Sequence, residues 1–217
     1  AALLSKEGAV TVLVVFPFIG WIFFQKSFWT SVKNSWGILL PIVVFFALRG
    51  FALSGLTEPE IHMIDNPVVE AHGLDRLGTS MIILGNYLRL LIFPLNLVDD
   101  YSYNVIPLQS LFSLPALLSF LLYAAIGVFA VYGIVKKRLS GFFAFAFLAS
   151  IFLYSQIPIV IGTMMGERLA YLPSLWFVLM IVAFVFELIK SESYSLRQWK
   201  MQPVANRYSF LVFGLLA

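Results

Sequence analysis

The 217-residue sequence contains no cysteine. Disulfide staples, thiolate metal sites and thiol nucleophiles are therefore excluded, and the redox compartment stays undetermined. Charge is almost as scarce. Asp, Glu, Lys and Arg make up 12% of the chain, against roughly a quarter in an average globular domain. So few charges cannot cover a water-facing surface, and lipid must supply most of the solvent. Disordered, collagen-like, coiled-coil and nucleic-acid-binding readings fail on the same arithmetic. Serine-hydrolase, Walker and Rossmann patterns are absent. So are a signal peptide and any repeat of about 34 residues.

What the chain has is hydrophobicity, 61% of its residues. About twenty apolar residues carry a helix across a bilayer core, because only an intrasegment hydrogen-bond ladder satisfies the backbone there. Windows poor in charge predict spans at about 8–24, 35–56, 111–135, 142–163 and 173–190, and an incomplete one at 207–217. The expectation is an all-α polytopic membrane protein. The chain opens in mid-pattern at Ala1-Ala2-Leu3-Leu4 and stops inside an apolar run at Ala217. It reads as part of a longer protein, with upstream and downstream parts missing.

Residues 57–110 form a long loop, and within it 76–98 are apolar enough to span, yet carry Arg89 at their centre with Asn86, Pro94 and Asn96 around it. If this segment crosses, Lys136-Lys137-Arg138 falls opposite Lys26 and Lys33. If it re-enters or lies along the interface, every charge sorts by side. One face then carries nine basic residues against two acidic, a net of +7; the other carries five basic against nine acidic, a net of −4. Short basic loops stay cytoplasmic, so 76–98 is expected to be re-entrant or interfacial. Ser5-Lys6-Glu7, the 57–75 loop, Asp99-Asp100-Tyr101 and Gly166-Glu167-Arg168 then share the extracytoplasmic face.

Three stretches carry a resemblance: Leu4-Ser5-Lys6-Glu7-Gly8-Ala9-Val10-Thr11; the series from Asp65-Asn66-Pro67 through Arg76-Leu77-Gly78, Asn86-Tyr87-Leu88, Pro94-Leu95-Asn96-Leu97 and Asp100-Tyr101-Ser102-Tyr103 to Ile106-Pro107-Leu108; and Gly166-Glu167-Arg168-Leu169-Ala170-Tyr171-Leu172-Pro173-Ser174. In order and spacing they resemble the transmembrane and tetratricopeptide-repeat-containing O-mannosyltransferase family and its bacterial relatives, within the GT-C glycosyltransferases. The resemblance implies a GT-C-like helix bundle in a bacterial inner membrane or the endoplasmic reticulum membrane. It implies transfer of a sugar from a polyprenyl-phosphate carrier to a protein acceptor outside the cytoplasm, with amphipathic helices along that face. It also implies that the catalytic acid lies upstream of Ser5-Lys6-Glu7 and the repeats downstream, so no catalytic residue is expected in this chain.

Transfer from a lipid phosphate needs fixed cations where negative charge develops. Arg168 is the leading candidate, since a guanidinium matches phosphate geometry and stays charged when partly buried. Glu167 stands beside it and Tyr171 follows; the alternative is a Glu–Arg pair closing a helix end with Tyr171 as an interfacial anchor. Arg89, costing about 3 kcal/mol at bilayer depth on insertion scales, is a second phosphate candidate unless it snorkels. Lys6 and Glu7 enter as substrate contacts by resemblance, although Glu7 also suits a helix N-terminus. Asp100 enters as a turn residue near the substrate, because adjacent carboxylates on extended chain point to opposite sides. Asp65-Asn66-Pro67 reads as a structural turn. His62 and His72 lack metal-ligand spacing, so no metal or other cofactor is expected. Partners are membrane lipids, the lipid-linked sugar and a protein acceptor. The alternative function is an accessory subunit of a larger membrane complex, without chemistry of its own.

Overall fold

The computed structural model describes residues 7–24, 26–54, 61–95, 97, 101 and 105–189. Lys6, Asp100 and the expected span at 207–217 lie outside the described residues, as does the Glu7 side chain. Within them the chain is helical, with no strand. A 3-10 turn, Glu7–Thr11, leads into α1 (Val12–Ile22). There follow α2 (Phe28–Asn34), α3 (Trp36–Leu53), α4 (Gly73–Ile92), α5 (Leu114–Val135), α6 (Leu139–Phe152) and α7 (Tyr171–Ile189).

Among the described residues, three helical segments are long and apolar enough to cross a membrane: Phe28–Leu53, Leu114–Val135 and Glu167–Ile189. At 22 residues, α5 rises about 33 Å, which matches a hydrocarbon core of about 30 Å. Val12–Ile22 and Leu139–Phe152 are apolar but shorter. Helix α4 is not among the candidate spans. The 142–163 window therefore differs from what forms. Its helix starts earlier and stops at Phe152; Gln156 takes a left-handed φ of 65°, and Pro158 supplies no N–H to continue a ladder. Helix α4 likewise stops at Ile92, two residues before Pro94, whose ring disfavours helical backbone at the residue before it.

Helices α5, α6 and α7 pack as consecutive neighbours, α1 lies against α6, and α4 lies against α5. At the α5–α6 turn Lys137 adopts φ 53°. Arg138 N–H bonds to Gly133 O at 2.8 Å and Lys137 N–H to Ile134 O at 2.9 Å, the paired bonds that close a helix with a left-handed residue. The two helices then cross so closely that a Cβ on Gly133 would strike the Gly141 backbone, and the reverse. Only glycine at both positions permits this approach.

One end of the bundle is basic. The Lys137 ammonium sits 5.6 Å from the Trp21 ring centroid at the end of α1, and Arg138 stacks 5.6 Å from Tyr132. At this end Glu187, near the end of α7, accepts from Ser140 N at 3.1 Å and Ser140 Oγ at 2.7 Å. It thus caps orphan donors in the first turn of α6 from another helix. The opposite end carries the Glu7–Thr11 turn, α4 and the 153–170 connection. There Gly8 is buried against the Tyr154 phenol. The main core gathers α4, α6, the 164–165 backbone and α7 through Ile83, Tyr87, Phe147, Ile151, Met164 and Phe177, and a second core packs Val15 and Ile22 of α1 on Phe142 and Ala146 of α6.

Candidate functional site

The chain between α6 and α7 is largely non-helical, and its backbone polar groups need partners that a helix would have supplied. Asn66 and Gln156, both fully buried, supply several. Asn66 begins the 3-10 turn Pro67–Val69, its Oδ1 accepting from Val68 N at 3.0 Å. Its Nδ2 donates to Ile161 O at 2.7 Å and to Gln156 Oε1 at 3.2 Å. Gln156 donates through Nε2 to Thr163 O at 2.8 Å and Met164 O at 3.0 Å, and accepts from Ile161 N at 3.0 Å. Arg76, on the first turn of α4, donates to Gln156 O at 3.2 and 2.9 Å and to Ile157 O at 3.2 Å.

Further along α4, the Tyr87 hydroxyl accepts from Gly166 N at 3.0 Å and donates to Gly166 O at 3.2 Å. Gly78 lets the same helix pass directly against the 109–111 backbone, where any Cβ would collide. The 153–166 connection is thus held by α4 through Arg76 and Tyr87 and by the Asn66 turn. It delivers the chain at Gly166 into the 3-10 turn Glu167–Ala170, which continues as α7.

A groove of about 290 Å³ opens at this junction. Its walls are Leu90, Leu91, Leu97 and Ala170, with Glu167, Arg168, Tyr171 and Ser174 along it. Arg168 and Tyr171 are exposed and Glu167 half-buried. The buried Tyr101 donates to Glu167 Oε1 at 3.3 Å. Burial pushes the Tyr101 phenol up from its usual pKa; the Glu167 carboxylate adds to the rise, and the positive charge of Arg89 opposes it. Chemically, this is an apolar trough with a guanidinium and a carboxylate at its edge.

The structure brings Glu167, Arg168 and Tyr171 to one groove, whereas Arg89 is exposed on α4 outside its walls. The backbone of Glu7 lies at the same end, next to the Gly8–Tyr154 contact. His62 and His72 are exposed, and among the described residues no three His, Cys, Asp or Glu side chains gather. Asp65-Asn66-Pro67 is indeed a turn, capped by Asn66 rather than by Asp65. Sequence reasoning passed over Gln156, Tyr87 and Tyr101 as site builders. Gln156 had one signal: it is the single Gln, Asn or charged residue in the run 139–166.

No protein-family model matches this chain, and no curated protein and no solved structure matches it.

Proposed function

We propose that the chain is part of a GT-C-like glycosyltransferase that uses a polyprenyl-phosphate-linked sugar and modifies a protein acceptor on the extracytoplasmic side of a membrane. One observation carries the reading. The groove combines apolar walls from Leu90, Leu91 and Leu97 with Arg168, Glu167 and Tyr171, the residues that the resemblance to O-mannosyltransferases nominates. Arg168 holds the departing phosphate, Arg89 adds positive potential, and the general base comes from the acid expected upstream. Helix α4 lies along the membrane surface in this reading. Support comes from its absence among the candidate spans and from Lys137 lying beside Trp21, which puts the basic α5–α6 turn at the end of α1 that leads to Lys26.

The test is Arg168→Ala, assayed for sugar transfer in membranes that contain the protein. Loss of a preorganised donor to a developing anion costs about 10²–10³ in rate, with the chain still inserted. A retained rate removes Arg168 from the site.

A second reading, an accessory subunit without chemistry, is favoured by α3. The apolar window within Phe28–Leu53 is only 6% buried, leaving a helix face for lipid or for partner helices. Recovery of a stoichiometric membrane complex that lacks transfer activity supports this reading over the first.

A further inference from the structure

The segment that follows α4 does not behave like a water-exposed loop. Ile92, Phe93, Leu95 and Leu97 are 51%, 64%, 68% and 64% exposed, so four large apolar side chains within six residues stand out from the protein. Pro94 and the bond from Leu95 N to Phe93 O at 2.8 Å turn the chain at this point. The projection is continuous with the groove: Leu97 is one of its walls, and Ala170 with Tyr171 and Ser174 at the start of α7 lines it too. Helix α7 belongs to a segment long and apolar enough to cross a membrane, and Tyr171 and Leu175 in its first turns are exposed as well. An apolar rim shared between a spanning helix and a projecting loop is covered by hydrocarbon more readily than by water.

We propose that Ile92, Phe93, Leu95 and Leu97 form a wedge that inserts into the adjoining lipid leaflet and opens the groove sideways onto the bilayer. The occupant that covers the wedge is lipid. The insertion does not rest on the proposed function.

The cysteine-free sequence makes the test direct. Single substitutions Phe93→Cys and Leu95→Cys, labelled with a nitroxide, are compared in phosphatidylcholine nanodiscs with His72→Cys as a water reference and Val178→Cys on α7 as a lipid reference. All four positions are exposed, so the label has room without repacking. The expected result is a shift of positions 93 and 95 toward the position 178 pattern, with oxygen colliding more and a nickel chelate less than at position 72. Labels at 93 and 95 that read like position 72 overturn the wedge. As a second readout, the fluorescence that Leu95→Trp adds over the five native tryptophans is quenched by lipids brominated on the acyl chain if the wedge inserts, and by aqueous acrylamide alone if it does not. An inserted wedge on a protein that transfers no sugar keeps the insertion and defeats the glycosyltransferase reading. Water-exposed labels on a protein that does transfer sugar give the reverse.

Discussion

Asn66 offers the sharpest test of how the groove is held. Its side chain is fully buried, accepts from Val68 N and donates to Ile161 O and Gln156 Oε1. Asn66→Ala strips the Val68 amide and the Ile161 carbonyl of this partner. An unsatisfied buried group costs about 1–3 kcal/mol, so the pair together costs about 2–6 kcal/mol by the same rule. Asn66→Asp keeps the shape and the acceptor for Val68 but replaces the donor with an oxygen that faces other oxygens. At neutral pH that carboxylate is buried against like polarity, which destabilises the charged form and raises the folded pKa of the introduced carboxyl above the unfolded value of about 3.9. The sign follows. The variant's stability is fully present below the unfolded value, where a protonated carboxyl still donates, and is lost as pH rises through the folded value. The stability gap to the native protein therefore widens with pH for Asn66→Asp and stays flat for Asn66→Ala. Amide hydrogen exchange at Val68 and Ile161, followed in nanodiscs across pH, reads both trends. An Asn66→Asp protein as protected as the native one at neutral pH, or a gap that narrows as pH rises, refutes the clamp.

Gly141→Leu drives a side chain into the Gly133 backbone and should abolish the α5–α6 hairpin; unchanged thermal unfolding contradicts so close a crossing. Glu187→Gln keeps the shape that meets Ser140 but removes the charge that favours the α6 N-terminus, a loss of about 0.3–1 kcal/mol, measured as a small drop in unfolding temperature in detergent. Tyr101 should ionise above its usual pKa, seen as the difference in ultraviolet titration between the native protein and Tyr101→Phe. Arg89→Ala should raise that transition further and Glu167→Gln should lower it; the opposite order separates these groups.

Much of the architecture was legible because apolar run length fixes where helices can form in lipid. The expected spans at 35–56, 111–135 and 173–190 correspond closely to α3, α5 and α7. The run at 142–163 misled because composition alone cannot register that Gln156 leaves the helical region at φ 65° and is matched by a partner 90 residues away. Glu167, Arg168 and Tyr171 were visible as a charged cluster at an apolar boundary, and they do line one groove. The rest of that groove was not visible. Leu90, Leu91 and Leu97 look like any membrane leucines until the fold sets them beside the start of α7. Tyr87 and Tyr101 stood in the sequence only as members of longer stretches, and their roles come from long-range bonds to Gly166 and Glu167.

The clamp on the 153–166 connection has a temporal side. Gln156 meets Asn66 and Arg76, which precede it by 90 and 80 residues. During synthesis from the N-terminus, both gripping residues emerge well before the row of carbonyls they must satisfy. Left buried without partners, such groups each cost about 1–3 kcal/mol. The order of synthesis thus presents Asn66 and Arg76 before the carbonyls of Gln156 and Ile161 that they meet in the folded chain.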